Sequence, residues 1–138
     1  MKKQKVVLNF LDGRIIKGYI NDFSPKDEFV LIENRLSDKQ KFKINELKAI
    51  FFVKTFKGNK DYSEKKSFTL ASPVGKRILV RFKDSETLIG YVEGNVPWQR
   101  GFHLESKKGG FFLVPTDDKG NNTKVFVVST SVSDVTCF

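Results

Sequence analysis

Val6-Val7-Leu8-Asn9-Phe10-Leu11-Asp12 is followed, 72 residues later, by Ile78-Leu79-Val80-Arg81-Phe82-Lys83-Asp84. The register runs on through Ile16-Lys17-Gly18-Tyr19-Ile20 and Leu88-Ile89-Gly90-Tyr91-Val92, with Phe10/Phe82, Asp12/Asp84, Gly18/Gly90 and Tyr19/Tyr91 identical. Phe29-Val30-Leu31-Ile32 then aligns with Phe111-Phe112-Leu113-Val114 at an offset of 82, and Phe42-Lys43-Ile44 with Phe126-Val127-Val128. Leu47 and Ile50 pair with Val132 and Val135. Four blocks in one order mark an internal duplication, and a repeat has to be recognised before any element is assigned.

Each copy reads as a small all-β unit. Apolar residues alternate over Lys5 to Leu11, and Asp12-Gly13 is a tight-hairpin signal because both residues tolerate positive φ. Arg14 to Phe23 returns as a strand that Gly18 lets bend. Strands follow at Phe29 to Asn34, Phe42 to Ile44 and Ala49 to Phe56, with Asn45 to Lys48 forming one helical turn before the last. The second copy repeats the series over Arg77–Lys83, Thr87–Gly94, Phe111–Thr116, Lys124–Val128 and Ser133–Phe138. The expectation is two tandem five-stranded barrels: residues 1–57, a polar linker at 58–74, and residues 75–138 with an enlarged loop at 95–110.

The stretch from Val7 to Gly18 resembles the first signature of Sm-like barrels: a hydrophobic strand, an Asp-Gly hairpin and a strand glycine. That resemblance implies an Sm-like or Src-homology-type barrel. The Arg-Gly of the second Sm signature is replaced by Ile44-Asn45-Glu46-Leu47 and Val128-Ser129-Thr130-Ser131, so the family's uridine pocket does not carry over. Leu47 to Lys54 and Gly110 to Pro115, with Asn121-Asn122 and Val125 to Val128, resemble a duplicated family of uncharacterised bacterial proteins. Its members are sometimes found beside signalling domains, and the likeness names relatives without an activity. Arg77 and Arg81 match the RxxxR spacing of PilZ domains, and Asp22-Phe23-Ser24 the start of their second element. This likeness implies a cyclic-dinucleotide ligand gripped by planar guanidinium groups. The order of the two elements is reversed here.

The charge balance supplies the rest. The chain has 138 residues, 39% hydrophobic, and a net charge of +9. Residues 1–57 hold 13 basic and 7 acidic side chains, so most of the excess belongs to the first copy. Such a balance favours anionic partners. Lys39, Lys41 and Lys43 alternate along a strand and project from one face, with Lys17 nearby; the same lysines would also shield a sheet edge from aggregation. The enlarged loop holds Trp98, Arg100, Phe102, Lys107 and Lys108, a set able to stack bases and neutralise phosphates, or else to cap a barrel end.

Catalysis has little to build on. His103 is the single histidine, Cys137 the single cysteine, and the run from Asp117 to Asn122 has Lys119 where a calcium ligand should stand. No phosphate-cradling glycine motif occurs. The reading is therefore a non-enzymatic, cytoplasmic protein without a cofactor, metal, leader or membrane span. Its expected partner is a protein or a single-stranded nucleic acid, alternatively a cyclic dinucleotide, and homo-oligomers are possible on this reading.

Overall fold

The computed structural model describes residues 3–21, 23, 27–34, 36, 38–56, 76–92, 110–115 and 122–137. Ten strands account for most of them. The first five are β1 (Gln4–Phe10), β2 (Ile15–Ile20), β3 (Phe29–Glu33), β4 (Lys39–Lys43) and β5 (Leu47–Val53). The second five are β6 (Lys76–Phe82), β7 (Thr87–Val92), β8 (Gly110–Pro115), β9 (Asn122–Val128) and β10 (Val132–Cys137). One-turn 3-10 helices, Ile44–Glu46 and Ser129–Ser131, precede β5 and β10. All pairings are antiparallel.

The strands form one open sheet, in the order β10-β6-β7-β8-β9-β5-β1-β2-β3-β4. Each half has the same internal order, fifth-first-second-third-fourth. The halves join where β9 pairs with β5, from Ala49↔Val127 to Val53↔Asn122. The same irregularity falls at the same place in both. Phe10 pairs with Leu47 and Asn9 with Ala49, which leaves Lys48 bulged. Phe82 pairs with Val132 and Arg81 with Asp134, which leaves Ser133 bulged. An extra residue of this kind bends its strand and redirects one side chain.

The hairpins also correspond. The Phe10 amide donates to the Arg14 carbonyl and the Phe82 amide to that of Glu86, each at 2.9 Å. Only one residue in each turn has positive φ: Gly13 at 93° and Ser85 at 75°. Asp12 stays at negative φ. Its carboxylate instead accepts the Arg14 amide, as Asp84 accepts that of Glu86.

Two apolar cores lie within the sheet. The first gathers Val6, Leu8, Phe10, Ile20, Val30, Ile32, Phe42, Ile44, Leu47, Ile50 and Phe52, and draws Phe126 and Val128 from β9. The second gathers Ile78, Val80, Phe82, Leu88, Phe111, Leu113, Val125, Val127, Val132 and Val135, with Ala49 and the partly buried Phe51 from β5. Alternate side chains of a strand point to opposite faces. The central strands β5 and β9 therefore serve one core with each face, which explains why β5 is apolar at every position but Lys48 and β9 from Val125 to Val128.

At two strands the halves correspond in a register one residue different from the sequence blocks. Gly18 lies against Ile32 and Gly90 against Leu113, so the buried pair Val30/Ile32 corresponds to Phe111/Leu113. Phe29 therefore does not match Phe111; the offset is one residue shorter. Likewise the 3-10 turns align Ile44 with Ser129, which sets Phe42 against Val127 rather than Phe126. A one-residue slip exchanges the two faces of a strand. Runs such as Phe111-Phe112-Leu113-Val114 and Val125 to Val128 are apolar at every position, so their pattern could not fix the register.

Candidate functional site

The outer face of β2, β3 and β4 combines charge with exposed apolar surface. Val30, Ile32 and Phe42 turn inward, so Phe29, Leu31 and Glu33 on β3 and Lys39, Lys41 and Lys43 on β4 share the other face. The register places Phe29 opposite Lys43, Leu31 opposite Lys41, and Glu33 opposite Lys39. Phe29 is 39% exposed and Leu31 49%. The Lys41 ammonium stands 4.3 Å from the centre of the Phe29 ring, a cation–π contact at an exposed site. Tyr19, Asn21, Leu31, Glu33 and Lys39 line a shallow depression of about 190 Å³. The Lys3 ammonium pairs with the Glu33 carboxylate at 2.8 Å along its rim.

Lys17 does not join the β4 lysines. It lies on β2, two strands from β4, and donates to the Phe56 carbonyl at 2.9 Å. The Phe56 ring meets Tyr19 edge-on at 5.4 Å, and the Lys5 ammonium is 6.0 Å from its centre. Among the described residues β4 is paired on one side only, by β3, and so ends the sheet.

In the second half Arg77 and Arg81 are exposed on one face of β6, while Ile78, Val80 and Phe82 are buried on the other. Four strand residues separate the two guanidinium stems by roughly 13 Å. Trp98, Arg100, Phe102, Lys107 and Lys108 lie outside the described residues, as do His103, Asp22 and Ser24.

One charged cluster was not expected from the sequence. Lys48, read there as part of a helical turn, is instead the bulged residue of β5 and is 7% exposed. Its ammonium lies 2.7 Å from Asp84 and 2.6 Å from Glu86, both in the β6–β7 turn, and 4.8 Å from the Phe82 ring. Burial pulls the Lys48 pKa down, but hydrogen bonds to Asp84 and Glu86 outweigh it and the net shift is upward. The hydrogen bond from Lys48 holds the Asp84 carboxyl below its ordinary range. The bulge also frees the Lys48 carbonyl, which lies 2.8 Å from the buried Ser131 hydroxyl. These contacts fasten the two halves: Lys48 is withdrawn from water, while the Asp84 and Glu86 side chains remain exposed. The signal that could have found them is the shared Asp12/Asp84 position, since Asp12 pairs locally with Arg14 whereas Asp84 has no arginine two residues on.

Among the described residues no three His, Cys, Asp or Glu side chains converge as metal ligands. No helix there is long and apolar enough to cross a membrane. The basic edge strand β4 lies beside the exposed aromatic and aliphatic side chains of β3. Across residues 2–138 the chain matches the model of DUF6982, a family of unknown function, and belongs to that family. No curated protein and no solved structure matches it.

Proposed function

We propose that this chain is a non-enzymatic binding module, an adaptor that holds an acidic partner protein at the basic end of its sheet. The observation that carries the reading is the edge strand β4, with Lys39, Lys41 and Lys43 on one face beside the exposed side chains of Phe29 and Leu31. Ammonium groups steer and orient an anionic partner, while neighbouring apolar atoms supply short-range contact. Fluorescence anisotropy with labelled polyglutamate tests it. Binding should weaken with salt and vanish when Lys39, Lys41 and Lys43 are changed to Glu. If a labelled single-stranded RNA or DNA binds and polyglutamate does not, the nucleic-acid reading replaces this one; Tyr19 and Phe29 among lysines are what favour it.

Arg77 and Arg81, exposed on one face of β6, support a second reading as a cyclic-dinucleotide signalling adaptor. Calorimetry with cyclic di-guanylate should then give heat that Arg77→Ala abolishes, and silence would end that reading.

We also infer that the halves are a tandem duplication of one five-stranded, open, Sm-like or Src-homology-type barrel. Shared strand order, a shared bulge and matched 3-10 turns support this. An experimental structure in which residues 4–53 and 76–137 cannot be superimposed would dismiss it.

A further inference from the structure

We infer that β4 is the docking edge for an extended segment of the partner, which adds to the sheet as one more antiparallel strand with acidic and apolar side chains alternating. The inference rests on the adaptor reading and specifies its partner.

The sheet contains its own template for such a strand. β9 stands in the second half where β4 stands in the first: each is the fourth strand, follows the third in the sheet, and leads into a 3-10 turn. The far side of β9 is covered by β5, antiparallel. On one face Ala49 and Phe51 sit beside Val127 and Val125 and complete the second core. On the other face Ile50 and Phe52 sit beside Phe126 and Lys124, the Lys124 ammonium 4.6 Å from the Phe52 ring.

Transferring this arrangement to β4 defines what the missing neighbour must be. With Ile44 aligned to Ser129, Val127 corresponds to Phe42, Phe126 to Lys41 and Lys124 to Lys39. One face of the incoming strand therefore meets Phe42 at the margin of the first core, with the exposed Gln40 two residues away, and wants an apolar side chain beside Phe42. The other face meets Lys39 and Lys41 above exposed Leu31, and wants carboxylates. Strand geometry turns these two demands into strict alternation. Main-chain hydrogen bonds supply affinity, and the alternation supplies selectivity.

A second copy of this chain fits the edge badly. Its own terminal strand, β10, occupies the place of β5. Docked in the same register it would set Asp134 beside Phe42 and Val135 against Lys41, which is the reverse of the required pattern. Two β4 edges would oppose lysine to lysine. The occupant is therefore a different protein.

Two blocked eight-residue peptides of identical composition provide the test: one alternates glutamate with valine and phenylalanine, the other collects its glutamates in one block. Anisotropy titration of the full chain should favour the alternating peptide by about tenfold, from three or four matched cross-strand pairs. Hydrogen exchange at the β4 amides should slow only with that peptide. Lys39→Glu with Lys41→Glu, both exposed positions, should shift the preference to a peptide alternating lysine with the same apolar residues. Equal binding of both isomers without β4 protection would overturn the strand docking while leaving an acidic partner in place. Binding of neither peptide nor of polyglutamate would remove the adaptor reading itself. Concentration-dependent self-association that protects β4 would overturn the choice of occupant.

Discussion

The Lys48 ammonium of the first half lies 2.7 Å from the Asp84 carboxylate of the second, and it is there because β5 bulges at that residue. A charge that is mostly withdrawn from water is thereby matched by two acids that remain exposed. Lys48→Met should destabilise the protein by about 1.5–3 kcal/mol, the range for a hydrogen bond to a charged group. Urea unfolding measures it, and an unchanged midpoint would mean that the clamp contributes nothing.

The same pair sets a dependence on pH. The folded pKa of Asp84 is depressed below its ordinary 3.8, so its contribution is present above that value and lost as pH falls through the folded one. The Lys48 pKa is raised above 10.5, so its contribution is present below that value and lost as pH rises through the folded one. Asp84 is half exposed and solvent screens it, so the acid effect is small. Asp84→Asn should flatten the acid limb of stability against pH relative to the parent; parallel curves would argue against the linkage.

Ser85 occupies the left-handed region at φ 75°, where Gly13 stands in the other hairpin. Ser85→Gly should relieve that backbone and raise stability by up to about 1 kcal/mol, and Gly13→Ala should lower it by about as much. Thermal unfolding of the two variants should move in opposite directions.

Gly90 lets β8 cross close to β7. A Cβ there would stand 2.5 Å from the Val114 carbonyl oxygen and press on the Leu113 side chain. The overlap involves backbone that is paired on both sides, so Gly90→Ala should cost about 3 kcal/mol or more and reduce the yield of folded protein. Near-parental stability would show that the crossing is looser than described.

Lys41→Phe with Lys43→Val would give β4 the apolar side chains that β9 carries at the corresponding positions. An apolar, unpaired edge invites contact between copies. Sedimentation velocity should show concentration-dependent association of this variant alone, and a strict monomer would mean that the lysines are not what keeps the edge apart.

All ten strands could be read from the sequence to within a few residues, because hairpin signals and alternation agree in most of them. The β2 ladder stops at Ile20, short of the Phe23 that the sequence pattern suggests, and the fifth strand begins at Leu47 rather than Ala49. Register failed where the chain is apolar on both faces, at Phe111 to Val114 and Val125 to Val128. Val125 to Val128 is buried on both faces where the halves join, so its missing alternation was the trace of the junction, whereas in β8 Val114 stays exposed despite its apolar character. Lys39, Lys41 and Lys43 were legible as one face from spacing alone. Their position at the end of the sheet was open to the sequence only as one of two alternatives, because pairing depends on residues far along the chain. Lys48 escaped for a similar reason: its partners lie 36 and 38 residues away in a turn of the other half.

The two-faced strands at the centre have a practical consequence for anyone dividing this molecule. Severed within residues 58–74, each fragment would carry a bare greasy stripe, Ala49 and Phe51 on one and Phe126 and Val128 on the other. Made separately, the fragments should be sticky and poorly soluble; made together in one cell, they should anneal into the intact sheet. The seam that joins the halves is thus a latent complementation system, suited to a split reporter.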